Sequence, residues 1–208
     1  MRLLRVVLLG VLAVAIAAGQ NTGKRSEGKN YLHHAFSFGA AGKSAMGAGI
    51  TQATNTPSEW GQGVSGFAKR FGSAFGKHLV KNGIQYPASK VFHEEFGYQR
   101  SDKTGFGPRL KYALTGTVIT HKTTTGKRTL SKSELAGAFG SGFISRAWQP
   151  ASTRTVAGGF ASSGITLGVD AAGNVVREFW PEIRHPHAAS QAHRRAAGNK
   201  TAQLEYHR

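Results

Sequence analysis

The chain has 208 residues, of which 27 are Lys or Arg and 10 are Asp or Glu, so its formal net charge is +17. It contains no cysteine, which excludes disulfide bonds and thiol catalysis. The length allows one sizeable core, and the basic charge indicates an anionic partner. Basic charge that only keeps the protein soluble is the alternative.

Residues 1–19 have the pattern of a secretory signal peptide. Arg2 and Arg5 precede an uninterrupted apolar run at 6–18, and small residues follow for cleavage. The run is shorter than the about 20 apolar residues of a membrane-spanning helix. We therefore predict an exported protein of the periplasm or outer envelope, where anionic lipid or envelope polymer is the expected partner. No specific nucleic-acid partner is predicted, since aromatic side chains do not alternate with the basic ones.

The remaining chain divides into three parts by composition. Residues 20–30 are polar and lack apolar periodicity, which predicts a flexible leader. Residues 31–183 contain all the periodic segments and are predicted to form a single helical domain. Residues 184–208 return to basic and polar composition, which predicts a disordered tail.

Helix signals are frequent in the first half of this domain. A Gly- and Ala-rich segment at 35–53 predicts the first helix. Thr56 as the N-cap, Pro57 at the first helical position and Glu59 in a capping box predict that the second helix begins at Pro57. A further segment follows this helix and reaches about Phe92, and Pro87 is expected to interrupt that segment.

The second half combines a hairpin with two more long helices. A short helix at 109–114 precedes alternating β-branched residues, and a turn at 124–127 predicts a β-hairpin. The capping box formed by Ser131 and Glu134 predicts a helix from about Lys132. The last helix is expected to end at Pro181.

Small residues recur at every fourth position in these helices, which predicts close contact between helices. The predicted packing residues are Ala41, Ala45, Gly49, Ala68, Gly72, Gly76, Gly164, Gly168 and Ala172. The fold class is therefore mainly α, a compact bundle of four or five Gly/Ala-rich helices with one β-hairpin. The stripes also suit self-association of helices. Charged residues such as Lys77 and Asp170 interrupt the apolar pattern, which favours a packed domain resting on or near a membrane over a polytopic protein.

Motifs for nucleotides and catalysis are weak. Residues 61–66 match a GxGxxG pattern and residues 42–44 resemble the end of a phosphate-binding loop, but neither follows a predicted strand. No nucleophile elbow or metal-binding motif is present in the sequence. We therefore predict no cofactor, no metal and no catalytic residue.

One loop concentrates charge in a chain with few acids. The candidate ligand-binding residues of this loop and its flank are His93, Glu94, Glu95, Arg100, Asp102 and Arg109. A His beside two carboxylates can hold a cation or a sugar, or act as a proton-transfer pair. The alternative is an ion-paired loop that fixes a helix end.

Several segments resemble the central signature of an uncharacterised secreted family abundant in Acidobacteria. They are residues 49–53 (GITQA), 60–63 (WGQG), 69–72 (KRFG), 93–100 (HEEFGYQR), 105–107 (GFG), 109–114 (RLKYAL) and 178–183 (EFWPEI). The resemblance covers about residues 38–183, which implies one domain, and it implies no particular activity.

The sequence favours a structural or interaction role at an anionic membrane or polymer surface of the envelope. An envelope enzyme or small-ligand-binding protein that uses the loop from His93 to Asp102 is the alternative.

Overall fold

The computed structural model describes residues 36–184 and contains five α-helices and one two-stranded hairpin in that range. The elements are α1 (Phe38–Ala53), α2 (Gly63–Val91), α3 (Phe106–Thr115), β1 (Ile119–His121), β2 (Arg128–Leu130), α4 (Lys132–Ile144) and α5 (Val156–Arg184). Short 3-10 turns lie at Ser58–Trp60, Ser145–Trp148 and Ala151–Thr153. The predicted fold class is confirmed. The predicted signal peptide, leader and nearly all of the tail lie outside the described residues.

Four of the helices surround a common interior. Helix α2 packs against α1 and α4, α4 packs against α5, and α5 also meets α1. Helix α3 packs on α5 and leads into the antiparallel hairpin, in which Thr120 pairs with Thr129. Within this part of the chain, no helix is both long enough and apolar enough to cross a membrane.

Side-chain caps mark the beginning of two helices. The Ser37 hydroxyl accepts a hydrogen bond from the Ala40 amide, 3.1 Å away, at the start of α1. The Ser131 hydroxyl accepts from the Glu134 amide at 3.3 Å at the start of α4. The predicted start of α4 is confirmed, because its signal lies in residues that neighbour one another in the chain.

The predicted start of the second helix at Pro57 is wrong. Pro57 precedes a 3-10 turn, and α2 begins six residues later at Gly63, after backbone with positive φ at Gly61 (68°) and Gly63 (86°). The reason is Arg70, whose guanidinium donates to the carbonyl oxygens of Thr56, Pro57 and Gly61. These hydrogen bonds hold residues 56–61 around the buried guanidinium in a path that includes only one 3-10 turn, so the α-helix begins after them.

Two prolines that were predicted to break helices lie inside them. Pro87 lies within α2 and Pro181 within α5, so both predicted interruptions are wrong. A proline removes one backbone hydrogen bond, but contacts with other elements can hold the helix on both sides of it. In α5, Arg109 binds Glu178 before Pro181 and Glu182 after it.

Most of the predicted packing residues do not lie at contacts between helices. A Cβ atom added at Gly49, Gly72, Gly164 or Gly168 would meet nothing within 4 Å. Of the other predicted packing residues, Ala68 is exposed, and Ala41, Ala45 and Ala172 are half-buried. A Cβ on Gly76 would lie 3.9 Å from the Trp148 ring. The prediction is therefore wrong for Ala68 and the four glycines with open surroundings.

The close contacts lie at other positions, on α4 and on a neighbouring face of α5. An added Cβ on Gly137 would lie 3.0 Å from the Lys81 carbonyl oxygen, and one on Gly173 would collide with the Lys43 side chain. Small residues occur on more than one face of these helices, so their spacing alone cannot choose the buried face. The choice follows from the buried polar side chains of Ser44, Ser163 and Asp170.

We predict that alanine has opposite effects on the two faces. In Gly142→Ala the new methyl group would meet the Ser163 hydroxyl and lie 2.9 Å from the Gly159 carbonyl oxygen. This overpacking should lower the free energy of unfolding by about 1–3 kcal/mol. Gly72→Ala is the matched control in open space, and it should raise that free energy by about 0.5–1 kcal/mol through helix propensity. Urea denaturation measures the free energy of unfolding of both variants. If Gly72→Ala were destabilised, Gly72 would lie at a contact between helices, as the small-residue stripe predicted.

Candidate functional site

The interior of the bundle is polar, whereas many large apolar side chains lie outside. Arg70 is 1% exposed and Glu178 is 0% exposed, while Phe38 is 99% exposed and Val64 is 88% exposed. The buried apolar side chains are small, the largest being valines. Burying a charge costs free energy unless it is paired or hydrogen-bonded. The partners of the buried charges therefore decide what the interior does.

A cavity of about 240 Å³ lies among α1, α2 and α5. It exists because the helices present small residues to it, including Gly47, Ala74 and Ser162. Ile165 and Val169 supply an apolar wall on α5. Five cationic side chains line the same space, and Asp170 is the one acidic residue among the lining.

Asp170 neutralises two of these cations. Its carboxylate oxygens lie 2.5 Å from Lys43 Nζ and 2.7 Å from Lys81 Nζ. Lys81 Nζ is also 2.6 Å from Glu134 Oε1, outside hydrogen-bonding geometry, so that contact is an ion pair. Gln85 donates a hydrogen bond to the other oxygen of Glu134. This paired group links α1, α2, α4 and α5.

The pKa values of the paired group follow from burial and from these contacts. Burial raises the pKa of Asp170, but Lys81 and Lys43 outweigh it and hold the pKa below its ordinary value. Burial lowers the pKa of Lys81, but Asp170 and Glu134 outweigh it and raise the pKa above its ordinary value. Burial also raises the pKa of Glu134 and is only partly opposed by Lys81. Asp170 and Lys81 are therefore charged at neutral pH.

A third cation at the cavity, Arg70, is fully occupied by the chain itself. Besides three backbone carbonyls, its guanidinium donates to the side-chain oxygens of Gln52 at 2.7 Å and Asn55 at 3.3 Å. Arg70 thereby fixes the segment between α1 and α2 and closes one end of the bundle. Its donors are not directed at a ligand.

Lys77 and Arg146, the remaining two cavity cations, are hydrogen-bonded only to neutral groups. Lys77 Nζ donates to the Ser162 hydroxyl at 3.1 Å and to the Ser162 carbonyl oxygen at 3.4 Å. Arg146 donates to the carbonyl oxygens of Gly142 and Thr153, each at 3.2 Å, and to the Ser145 hydroxyl at 3.3 Å, which leaves two of its five N–H groups without an acceptor among the described residues. Neither cation forms an ion pair with a carboxylate within residues 36–184.

Burial disfavours the charged form of both cations in this pair. Burial and the neighbouring Arg146 charge lower the pKa of Lys77 to about 8, and Asp170 opposes them only in part. Burial also lowers the pKa of Arg146, whose guanidinium nevertheless remains protonated in proteins. The two cations share a partly enclosed space with an apolar wall. This arrangement can hold an anion.

The structure does not bring the six predicted site residues together. Glu94 is buried at the start of α4, where it accepts hydrogen bonds from the Lys132 and Ser133 amides. His93 is exposed in left-handed backbone (φ 52°), and Glu95 lies 3.7 Å from His121. Glu94 thus binds orphan amides at a helix N-terminus and does not face a ligand.

Arg109 belongs to a separate structural cluster on α5. It donates to Glu178 at 2.9 Å and to Glu182 at 2.5 Å, while Tyr98 and Ser101 also donate to Glu178. Burial raises the pKa of Glu178, but the hydrogen bonds from Ser101 and Arg109 lower it to about 2. Arg100 and Asp102, the last two candidates, are exposed. This geometry matches the alternative of an ion-paired loop.

Sequence reasoning missed Lys77, Arg146 and their neighbours as a site. It treated them only as charges that interrupt apolar helices. A usable signal was present, because Arg70, Lys77 and Lys81 repeat at helical spacing on one face of a Gly-rich helix. Several cations on one helix face, with acids placed only on distant helices, indicate a shared interior and not a solvated surface.

We predict that removing the two neighbouring lysine charges changes stability in opposite directions. Lys77→Met removes an uncompensated charge and should raise the free energy of unfolding at pH 7 by about 1–3 kcal/mol. Lys81→Met leaves Asp170 and Glu134 without a shared cation and should lower it by about 3–5 kcal/mol. Chemical denaturation of both variants measures this. Destabilisation of both by similar amounts would contradict the assignment of Lys77 as uncompensated.

The pH dependence gives a control for this prediction. The pKa of Lys77 is about 8 in the folded chain and 10.5 in the unfolded chain, so between these values the unfolded state binds more protons. The wild type therefore gains stability from this group as pH rises through that window. The advantage of Lys77→Met over the wild type should shrink from pH 8 to 10.5, whereas an advantage independent of pH would contradict the assigned pKa.

Comparisons with protein-family models, with curated proteins and with solved structures give no match for this chain. The resemblance to a secreted family of Acidobacteria therefore stays a prediction. The role of the cavity has to be inferred from its own residues and their chemistry.

Proposed function

We propose that this protein binds a small organic anion in the cavity among α1, α2 and α5. Lys77 and Arg146 hold the anionic group, and the apolar wall of α5 contacts the rest of the ligand. The observation that carries this proposal is a pair of cavity cations that have no carboxylate partner and that, unlike Arg70, keep N–H groups without an acceptor among the described residues. A small-ligand-binding protein was also the alternative that the sequence offered, but there the binding residues were those of the loop from His93 to Asp102.

Energetics favour a ligand over a purely structural role for the pair. A shift of the Lys77 pKa from 10.5 to about 8 corresponds to about 3 kcal/mol of unfavourable interaction for its charged form. The same interior supplies Asp170 where Lys43 and Lys81 need compensation. A bound anion would supply the missing compensation for Lys77 and Arg146.

The shape of the cavity restricts the ligand class. Its volume of about 240 Å³ is at the small end of ligand sites, which excludes a polymer. The planar guanidinium of Arg146 suits a carboxylate, which it can bind through two parallel hydrogen bonds. Ile165 and Val169 favour a short apolar body. A small carboxylic acid with a hydrocarbon or aromatic group fits these conditions best.

Calorimetry with benzoate tests the proposal. Benzoate should bind the wild type, while benzamide, a neutral molecule of the same shape, should not. Lys77→Met and Arg146→Met should each weaken binding about tenfold or more, the usual effect of losing a charged partner. Lys69→Met, at an exposed position of α2, is the control and should bind like the wild type. Binding should weaken above pH 8, where Lys77 loses its proton.

Equal binding of benzamide, or unchanged binding by both cavity variants, would contradict the proposal. If the affinity for benzoate did not change across pH 8, Lys77 would not be part of the binding site, and Arg146 would be the cation that binds the anion.

A second role is favoured by the outer surface of α1 and α2. The exposed apolar side chains there are Phe38, Met46, Ile50, Val64 and Phe67. Lys69 is the single exposed charged residue in residues 38–53 and 63–76. An apolar face on a chain of net charge +17 suits adsorption to an anionic membrane, where apolar contact and electrostatic attraction add. We propose this face as the membrane contact of an exported protein.

Vesicle flotation tests this second role. The protein should float with phosphatidylglycerol-containing vesicles and less with phosphatidylcholine alone, and salt should weaken the association. The double variant Phe38→Ser, Val64→Ser should release it. Val91→Ser, at an exposed site near the other end of α2, is the matched control. Equal binding to both vesicle types, or no loss in the double variant, would contradict this role.

A further inference from the structure

We infer that Lys77 reacts with the carbonyl group of a small 2-oxo acid and forms a reversible imine while Arg146 holds the carboxylate. This inference rests on the proposed function, because it uses the same cavity and the same anion-binding pair. It narrows the ligand class from carboxylic acids to those with a carbonyl group beside the carboxylate.

Lys77 is the one lysine at the cavity whose nitrogen is available for this reaction. Lys43 and Lys81 are held as ammonium groups by Asp170, at 2.5 and 2.7 Å. Among the described residues, Lys77 Nζ donates hydrogen bonds only to Ser162 and forms no ion pair with a carboxylate. A pKa of about 8 leaves roughly a tenth of the Lys77 side chains as free amine at pH 7. Lysines shielded from water beside another cation are activated in this way.

Arg146 gives the ligand an orientation. Its charge is close enough to Lys77 to lower the pKa of that amine, and both line the cavity. In a 2-oxo acid the carbonyl carbon is bonded directly to the carboxylate carbon. A carboxylate held by Arg146 therefore brings the adjacent carbonyl towards Lys77, where proximity favours attack.

The reaction balances without an oxidant or a reductant. The free amine of Lys77 attacks the carbonyl carbon, a C–N bond forms, and the carbonyl electron pair moves to oxygen. A proton passes from nitrogen to that oxygen, giving a carbinolamine. Loss of water then forms the C=N bond, and both hydrogens of the neutral amine leave in that water. The Ser162 hydroxyl, 3.1 Å from Nζ, can relay the proton.

Reductive trapping with pyruvate tests the inference on the full chain. Pyruvate and cyanoborohydride should give a stable adduct that peptide mapping places on Lys77, whereas lactate, which has no carbonyl group, should give none. Lys77→Arg keeps the charge and should lose the adduct, and Lys69→Arg should keep it. Adduct spread evenly over exposed lysines, or an adduct that persists in Lys77→Arg, would overturn the inference.

The pH profile of the wild type is a readout that does not depend on a variant. Initial trapping at Lys77, with pyruvate saturating and each time point quenched by excess borohydride in place of cyanoborohydride, should speed up as pH rises to about 8, because attack needs the free amine. The affinity for benzoate should fall over the same range, because it needs the ammonium form. Trapping that slows as pH rises to 8 would overturn the inference.

Calorimetry without reductant separates this inference from the proposed function. If lactate and pyruvate bind alike and no adduct forms on Lys77, the anion site stands and the imine does not. If neither binds and no adduct forms, both fall. If Lys77 is trapped by pyruvate while benzoate and lactate fail to bind, the imine stands and the general anion site falls.

Discussion

The interaction on which the bundle depends is the carboxylate of Asp170 between Lys43 and Lys81. Its two oxygens join α5 to α1 and α2, and Lys81 extends the link to Glu134 on α4. A buried ion pair adds little net stability, since desolvation offsets the attraction, but an unmatched charge in the same place is costly. The four helices are therefore restricted to arrangements that keep these charges together.

This restriction also determines where the cavity cations lie. Lys77 is one helical turn before Lys81 on α2, so fixing Lys81 on Asp170 directs Lys77 to the same interior. Arg146 follows α4, whose position is set by the contact of Lys81 with Glu134. The uncompensated pair is thus a consequence of the compensated group beside it. A single network provides both the scaffold and the electrostatic environment of the candidate site.

The other charged clusters stabilise the start of α4 and the contact of α3 with α5. Glu94 binds amides at the start of α4, and Arg109 joins α3 to α5 through Glu178. Arg109 has carboxylate partners and Glu94 caps a helix N-terminus, whereas Lys77 and Arg146 donate only to hydroxyl and carbonyl oxygens. The segment with the densest charge in the sequence is therefore a structural contact between elements. The candidate site lies instead among charges that are scattered over several helices. The kind of partner that each buried charged group has distinguishes a structural cluster from a candidate site better than the density of charge in the sequence does.

The sequence by itself determined the elements whose signals are local. It predicted the five helices, the hairpin and the start of α4, because the Ser131 cap and the alternating strands act between near neighbours in the chain. Tertiary structure alone decided that α2 begins at Gly63, that Pro87 and Pro181 lie inside helices, and which small residues touch. Each of these depends on a distant partner: Arg70 for the loop before α2, Arg109 for the end of α5. Lys43 and Asp170 are 127 positions apart, and only the folded chain shows that they neutralise each other and leave Lys77 without a carboxylate partner among the described residues.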